Sequence, residues 1–509
     1  MSLPAARFSL LSAGVLLALG AVAAEPETSL TVYSSATPGA IPAEWYRPLP
    51  GMGSPSASQL PGFALVRLER ELQIPRGRGT IQFSDVAALI DPTTVQFLSL
   101  TDPEGTKVLE QSFQFDLVSQ EKLLSRYVDR PISVEQRSGD GVQTIEGTLV
   151  SSTDGLVIRG HDGRIHALRE WSNVRFDDLP GGLITRPTLE WDIVSGRGGL
   201  QDARVAYQTG GITWWADYNL VFSEGADANS GFVDVGAWVS LLNQSGAKYQ
   251  DAKLKLIAGD VNRAQPPPQV LRQKVYEMAA MDAAAPPPGF EEKAFFEYHL
   301  YTLGRPATIA NNSTKQIELF DAASRVPAKK QLVYDGAAGM QFYGGLVQEP
   351  EYGPGGNTKV DVFLKFRNDK ASGMGMPLPA GRIRVSQEDQ ADGSLEFIGE
   401  DTIRHTPKDE DVRVKLGTAF DVVGERRQTD FIVDTKGRTM EEAFEIKVRN
   451  HKDQPVEVLV RENLYRWSEW KLVAQSQPHA RKDAQTIEFP VKVAADGEAV
   501  VTYRVRYTW

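Results

Sequence analysis

Apolar and polar positions alternate with a period of two along most of this chain, the pattern of strands that bury one face. FALVRLERELQI (63–74) mixes Leu65, Leu68 and Leu72 with Arg67, Glu69 and Arg70, and TIQFSDV and TTVQFLSL follow in the same rhythm. These predict a leading β-domain over 25–129, entered through a Pro/Gly/Ser-dense loop between Ser34 and Gly62 that suits no periodic element. A short helix is expected from Ser119 to Val128, where Leu123, Leu124 and Tyr127 share a face and Ser119 can cap the N-terminus.

Between 130 and 182 the runs shorten: ISVEQ, TIEGTLV, LVIR and RIHAL are separated by Asp140-Gly141, Asp154-Gly155 and Asp162-Gly163. Asp-Gly pairs between apolar runs are hairpin signals, and a reading of five short strands across the whole stretch predicts a small SH3-like barrel. From 183 to 509, strands recur at spacings near ten residues, the rhythm of an antiparallel β-sandwich region with two sub-domains. One interruption stands out, an insert over 264–289 in which Pro266–Pro268 and Pro286–Pro288 bracket helix-forming residues, read as a short helical excursion on stiff arms. No repeat of fixed period occurs, which argues against solenoids and propellers.

The first 24 residues break the alternation. Arg7 precedes an apolar run from Phe8 to Ala24 with small residues at its end, the layout of a secretory signal peptide cleaved before Ala24 or Glu25. The run is shorter than a bilayer span requires, and no cysteine follows it for lipid attachment. A periplasmic protein is expected, with outer-membrane association open.

Composition narrows the partners. The formal charge of −11 disfavours nucleic acid. With no cysteine in the chain, no disulfide supports the fold, so core burial must suffice.

YQTGGITWWADYNLVF (Tyr207 to Phe222) and AWVSLLNQSGAKYQDAKLKLIAGDV (Ala237 to Val261) resemble the central signature of the bacterial family called domain of unknown function 4139. FEYHLYTL, NNSTKQIELF, MGMPLPAGRIRV (Met374 to Val385) and LGTAFDVVGERRQTDF (Leu416 to Phe431) are similar to the same family and follow in order. The resemblance covers about Pro187 to Trp509, extends to the N-terminal β-domain through IDPTTVQF and FQFDLVSQEKLLSRYV, and implies an exported β-sandwich protein with no agreed activity.

Candidate chemistry is sparse. Trp214, Trp215, Asp217 and Tyr218 could form a platform for a carbohydrate or peptide, since aromatic rings stack on apolar sugar faces. Strand alternation offers a rival reading, with Trp214 and Tyr218 on one side, Trp215 and Asp217 on the other, and one row simply core. Trp45 and Tyr46 either contact a partner or tuck their loop onto its own domain. The six histidines show no zinc-ligand spacing, and there is no nucleophile elbow, so no catalytic, cofactor or metal residue is nominated. The terminal row Val501, Tyr503, Val505, Tyr507 and Trp509 is apolar on one face, as in a half-buried sandwich strand or an outer-membrane barrel strand. The expectation is a non-catalytic envelope protein that binds an envelope protein or a glycan. The alternatives are a carbohydrate-binding module or hydrolase, and an outer-membrane barrel.

Overall fold

A computed structural model describes residues 27–509 except 35–40, 48–54, 85, 139–140, 260, 262–289, 296–297, 339–344, 354–355 and 390. The leading segment 1–24 and the insert 264–289 lie outside the described residues. Among the described residues the fold is β almost throughout, in four sheets of eight, five, three and thirteen strands. Among the described residues none closes into a barrel.

The first strand, Glu27–Tyr33, is wedged inside the eight-stranded sheet. It pairs antiparallel with Phe63–Ile74 and parallel with Tyr249–Ala258, so Leu30 lies between Val66 and Leu254. The leading segment and the region after residue 183 therefore build one sheet together. Leu30, Val32, Ala64, Val66, Leu254 and Leu256 point to one side and are almost fully buried, because period-two alternation places every second residue on the same face. They meet the inward residues of Ile212–Glu224 and Ser230–Asn243, including Trp214, Tyr218, Val235 and Val239, in the larger of two principal cores.

The second core collects Phe444, Ile446, Val458, Phe489, Val501, Tyr503, Val505 and Tyr507. The apolar row of the last strand thus faces protein interior. Two very long strands, Ser313–Asp335 and Asp411–Asp434, run from one core into the other. Each spans roughly 70–80 Å at about 3.3 Å per residue, bent by local irregularities. Most pairings are antiparallel, but Ile212–Glu224 with Gly381–Glu388 and Ser313–Asp335 with Val456–Asn463 run parallel.

The strands between 131 and 175 form a separate antiparallel sheet in which Asn173–Arg175 returns to pair with Pro131–Ser138, as a small barrel requires. Hydrogen bonding does not close across Ile165–Leu168, so the sheet stays open. The helix Gln120–Arg126 covers it, capped by the Ser119 hydroxyl, which accepts from the Lys122 amide at 3.2 Å. Its core of Leu124, Tyr127, Ile132, Val134, Leu149 and Ile158 is distinct from the other two. This unit is inserted between Thr106–Gln114 and Thr188–Ser195, neighbours in the three-stranded sheet. Its neck is fastened by Ile184, which donates to Asp116 and accepts from Val118, both at 3.0 Å. Lys122 and Arg126 both pair with the Asp116 carboxylate and hold it below its usual range, chiefly through the Lys122 hydrogen bond.

Three fully buried asparagines repeat one device. Asn243, Asn368 and Asn450 each follow or end a strand and donate their side-chain amide to two backbone carbonyls at 2.8–3.0 Å. Each side-chain oxygen accepts a loop N–H, from Ser245, Gly375 and Lys452 respectively. The spacing is uneven, which is why no fixed period shows in the sequence.

Candidate functional site

Strand alternation sorts the aromatic segment into two environments. Trp214 and Tyr218, on the inward row of Ile212–Glu224, are each 1% exposed. Trp214 meets the Tyr301 ring edge-on at 6.3 Å. The Tyr218 and Tyr301 hydroxyls donate to the carbonyls of Pro379 and Pro377 at 2.8 and 3.0 Å, clamping the MGMPLPAGRIRV stretch against the core. Burial drives both phenols well above the ordinary tyrosine range. Their ring faces are occupied by protein.

Trp215 and Asp217 point the other way, and the structure brings them together with Trp45 and Tyr46 from the leading loop. The helix Ala43–Tyr46 sits on the outer face of the sheet, where Trp45, Ile41, Leu60, Trp215 and Leu242 form a small apolar cluster. Tyr46 packs on Trp215 at 5.5 Å and hydrogen-bonds with Arg382. The Gln244 side chain donates to the Trp45 carbonyl at 3.2 Å. These contacts tuck the loop onto its own body through its aromatics.

Asp217 is the charged centre of this face. Its Oδ2 accepts from Trp215 Nε1 at 2.7 Å and from the Ser240 hydroxyl at 2.9 Å, and Gln316 in turn donates to Ser240. Its Oδ1 has no hydrogen-bond partner among the described residues, and Arg382 and Arg384 stand 3.7 and 3.6 Å from it. The Asp217 side chain is only 8% exposed, and a carboxylate so withdrawn from water needs such company. Arg384 also lies 3.6 Å from Glu400. The arginines reach Asp217 because Gly381–Glu388 runs parallel to its strand, a pairing across more than 160 residues that sequence reasoning did not anticipate.

Sequence reasoning also missed four buried charges in the second core. Arg426 bonds Glu462 at 2.9 Å, and Arg466 bonds Glu442 at 2.8 Å, every side chain at most 1% exposed. Tyr503 donates to Glu462 and Gln428 to Glu442. Burial pushes the Glu462 carboxyl upward against the opposing pull of Arg426 and Tyr503. The arginines extend to backbone carbonyls of the segment before Lys359–Arg367: Arg426 reaches Gly353, and Arg466 reaches Glu349 and Pro350. The network therefore straps this segment down. A signal did exist, since Glu442 occupies the same alternating row as Met440, Phe444 and Ile446, and Glu462 the row of Val458 and Val460.

Elsewhere a concavity of about 370 Å³ lies on the polar face of the three-stranded sheet, lined by Arg78, Glu110, Glu190 and Asp192. Its acids are largely engaged: Arg78 bonds Asp192 and holds it below the usual carboxylate range, and Gln82 and Gln114 donate to Glu190. Among the described residues no group of three or more acids and histidines is placed to hold a metal.

The fold and this face define a multi-sheet β-sandwich protein with an inserted small β-unit. Over residues 203–509 the chain matches the family described as Domain of unknown function (DUF4139), and it belongs to that family. No curated protein matches it. The matched region starts inside the strand Gly199–Thr209, yet the core it builds is completed by Leu30, Val66 and Leu68 from the leading segment.

Proposed function

We propose that this chain is an exported, non-catalytic scaffold of the bacterial envelope that holds another envelope component, a protein or a glycan, in the periplasm. The observation that carries the reading is the inserted unit. A sheet and helix with their own core stand on a fastened neck, leaving from one strand of the body and returning to its neighbour. Such a unit adds nothing to the body's cores and suits presentation to a partner. The leading segment, with Arg7 ahead of an apolar run, supports export.

Osmotic shock followed by in-cell crosslinking and pull-down from the envelope fraction tests the proposal. Release of the mature chain with an enriched partner is the expected outcome. Retention in the cytoplasm, or a pull-down with no enriched partner, would refute it.

A further inference from the structure

Arg70 breaks the inward row of Phe63–Ile74. Ala64, Val66 and Leu68 on that row are buried in the larger core, and Arg70 follows them just past the point where the first strand begins, with Glu27 opposite Glu69. Its guanidinium lies over the Phe83 ring, 5.2 Å from the centroid. A ring engages the flat face of that ion and leaves its N–H edges unbonded. Among the described residues no carboxylate or carbonyl accepts from them.

Arg70 borders a cavity of about 210 Å³ in which Thr28, Tyr207, Lys248 and Gln250 join it around Leu68 and Tyr249. The Gln250 carbonyl accepts from Lys248 at 3.3 Å, which leaves the Gln250 amide free to donate. Tyr207 is 1% exposed; its hydroxyl accepts from the Ala87 amide at 3.3 Å, and among the described residues nothing accepts its proton. Burial pushes that phenol up to about 12, against the opposing pull of the Ala87 amide and the Arg70 charge, so the hydroxyl keeps its proton. The Tyr249 hydroxyl is engaged with Ser245 at 3.0 Å and serves as wall. Among the described lining residues none is acidic. Glu27 and Glu69 pair with Lys253 and Arg204, and Asp251 takes the Thr308 hydroxyl. In a chain of net charge −11, two cations and a buried phenol proton thus converge where no carboxylate balances them. A partly buried cation without a counter-charge is costly, and an anion from outside completes it.

We propose that this cavity is a binding site for a phosphate group, carried either by free phosphate or by a phosphomonoester. The Arg70 fork takes two of its oxygens, Lys248 supplies a point charge to a third, and the Tyr207 and Thr28 hydroxyls with the Gln250 amide donate to the lone pairs that remain. Guanidinium matches phosphate in two parallel bonds, while an ammonium acts on it as a compact charge. Donor number favours phosphate over carboxylate, since five donating side chains exceed what two oxygens can accept. Charge favours it too, because a phosphomonoester carries about −1.5 to −2 at neutral pH and so offsets two cations. The inference goes beyond the scaffold reading and rests on the body of the molecule, away from the inserted unit's core.

The test titrates the purified mature chain with inorganic phosphate, glycerol 1-phosphate and acetate at one fixed ionic strength, following heat. The site predicts saturable binding of at least one of the two phosphates and much weaker binding of acetate. Phosphate alone would assign the site to the free ion, and glycerol 1-phosphate bound as well or better would assign it to a monoester; either supports the site. Arg70→Met keeps a stem on the Phe83 ring and should weaken binding about tenfold or more, the size of a lost charge-assisted hydrogen bond. Its melting temperature without phosphate should be equal or higher, since an uncompensated cation leaves an apolar row. Lys248→Gln, at an exposed position, should weaken binding several-fold and keeps the test open should the Arg70 variant fail to fold. Lys436→Gln makes the same change of net charge in an exposed turn outside the cavity and should bind as the unaltered chain does. Absence of saturable binding to both phosphates, acetate bound as tightly as they are, or binding untouched by the Arg70 and Lys248 substitutions overturns the site. Partner capture in the envelope crosslinking would then still stand, so the two readings fail separately.

Discussion

Buried charge is where single residues decide most in this protein. Arg466 is wholly enclosed, bonding Glu442 and the carbonyls of Glu349 and Pro350. Removing one member of a buried pair leaves the other uncompensated, so Arg466→Ala should cost about 3–5 kcal/mol in urea unfolding. Replacing the pair together, as Arg466→Met with Glu442→Leu, should recover a large part of that loss, because the unpaired carboxylate goes too. If the double variant is as unstable as the single one, the charges are not what the segment needs. Arg426 and Glu462 follow the same logic, with Tyr503 as a third member. Three of these charges, Arg426, Glu442 and Glu462, were open to discovery in the sequence as charged residues on apolar strand rows, whereas Arg466 follows the strand Val456–Asn463 and carries no such signal. The separation of Trp214 and Tyr218 from Trp215 and Asp217 was legible from alternation alone, while which row faced the main core, and that the leading loop covers the other, was not. Arg382 and Arg384 lay beyond local pattern, because nothing in a strand's own residues states its parallel neighbour.

At the level of elements, the strand Glu27–Tyr33 depends on its flanks. The Lys253 hydrogen bond, reinforced by the charges of Lys253 and Arg67, holds the Glu27 carboxyl below its ordinary range. A carboxyl depressed in the folded state contributes stability that is present above its unfolded value and lost as pH falls through the folded one. Amide exchange in the first strand should therefore quicken relative to that in Phe63–Ile74 as pH drops below the usual glutamate range, and Glu27→Gln should remove that dependence. A strand equally protected at all pH values would show that the ladder alone secures it. The strands were readable from their period, and the capped helix from Ser119 and its apolar face. The parallel insertion of the first strand was not, since pairing partners more than 200 residues apart leave no local trace.

For the whole molecule, the long strands Ser313–Asp335 and Asp411–Asp434 tie the two principal cores into one body, whereas the unit between the neck residues Leu117 and Ile184 keeps a core of its own. Calorimetry should show one transition for the body and a separate, smaller one for the inserted unit. Two large transitions of equal weight would mean that the long strands do not couple the cores. Replacing residues 119–182 by a short Gly-Ser link should abolish only the smaller transition, because Thr106–Gln114 and Thr188–Ser195 still pair. That variant also gives the most direct test of the scaffold reading, by envelope crosslinking in cells with the complete chain and the shortened one side by side. The complete chain should capture an envelope partner that the shortened chain loses while remaining folded and exported. The same partners on both, or none on either, would contradict the account.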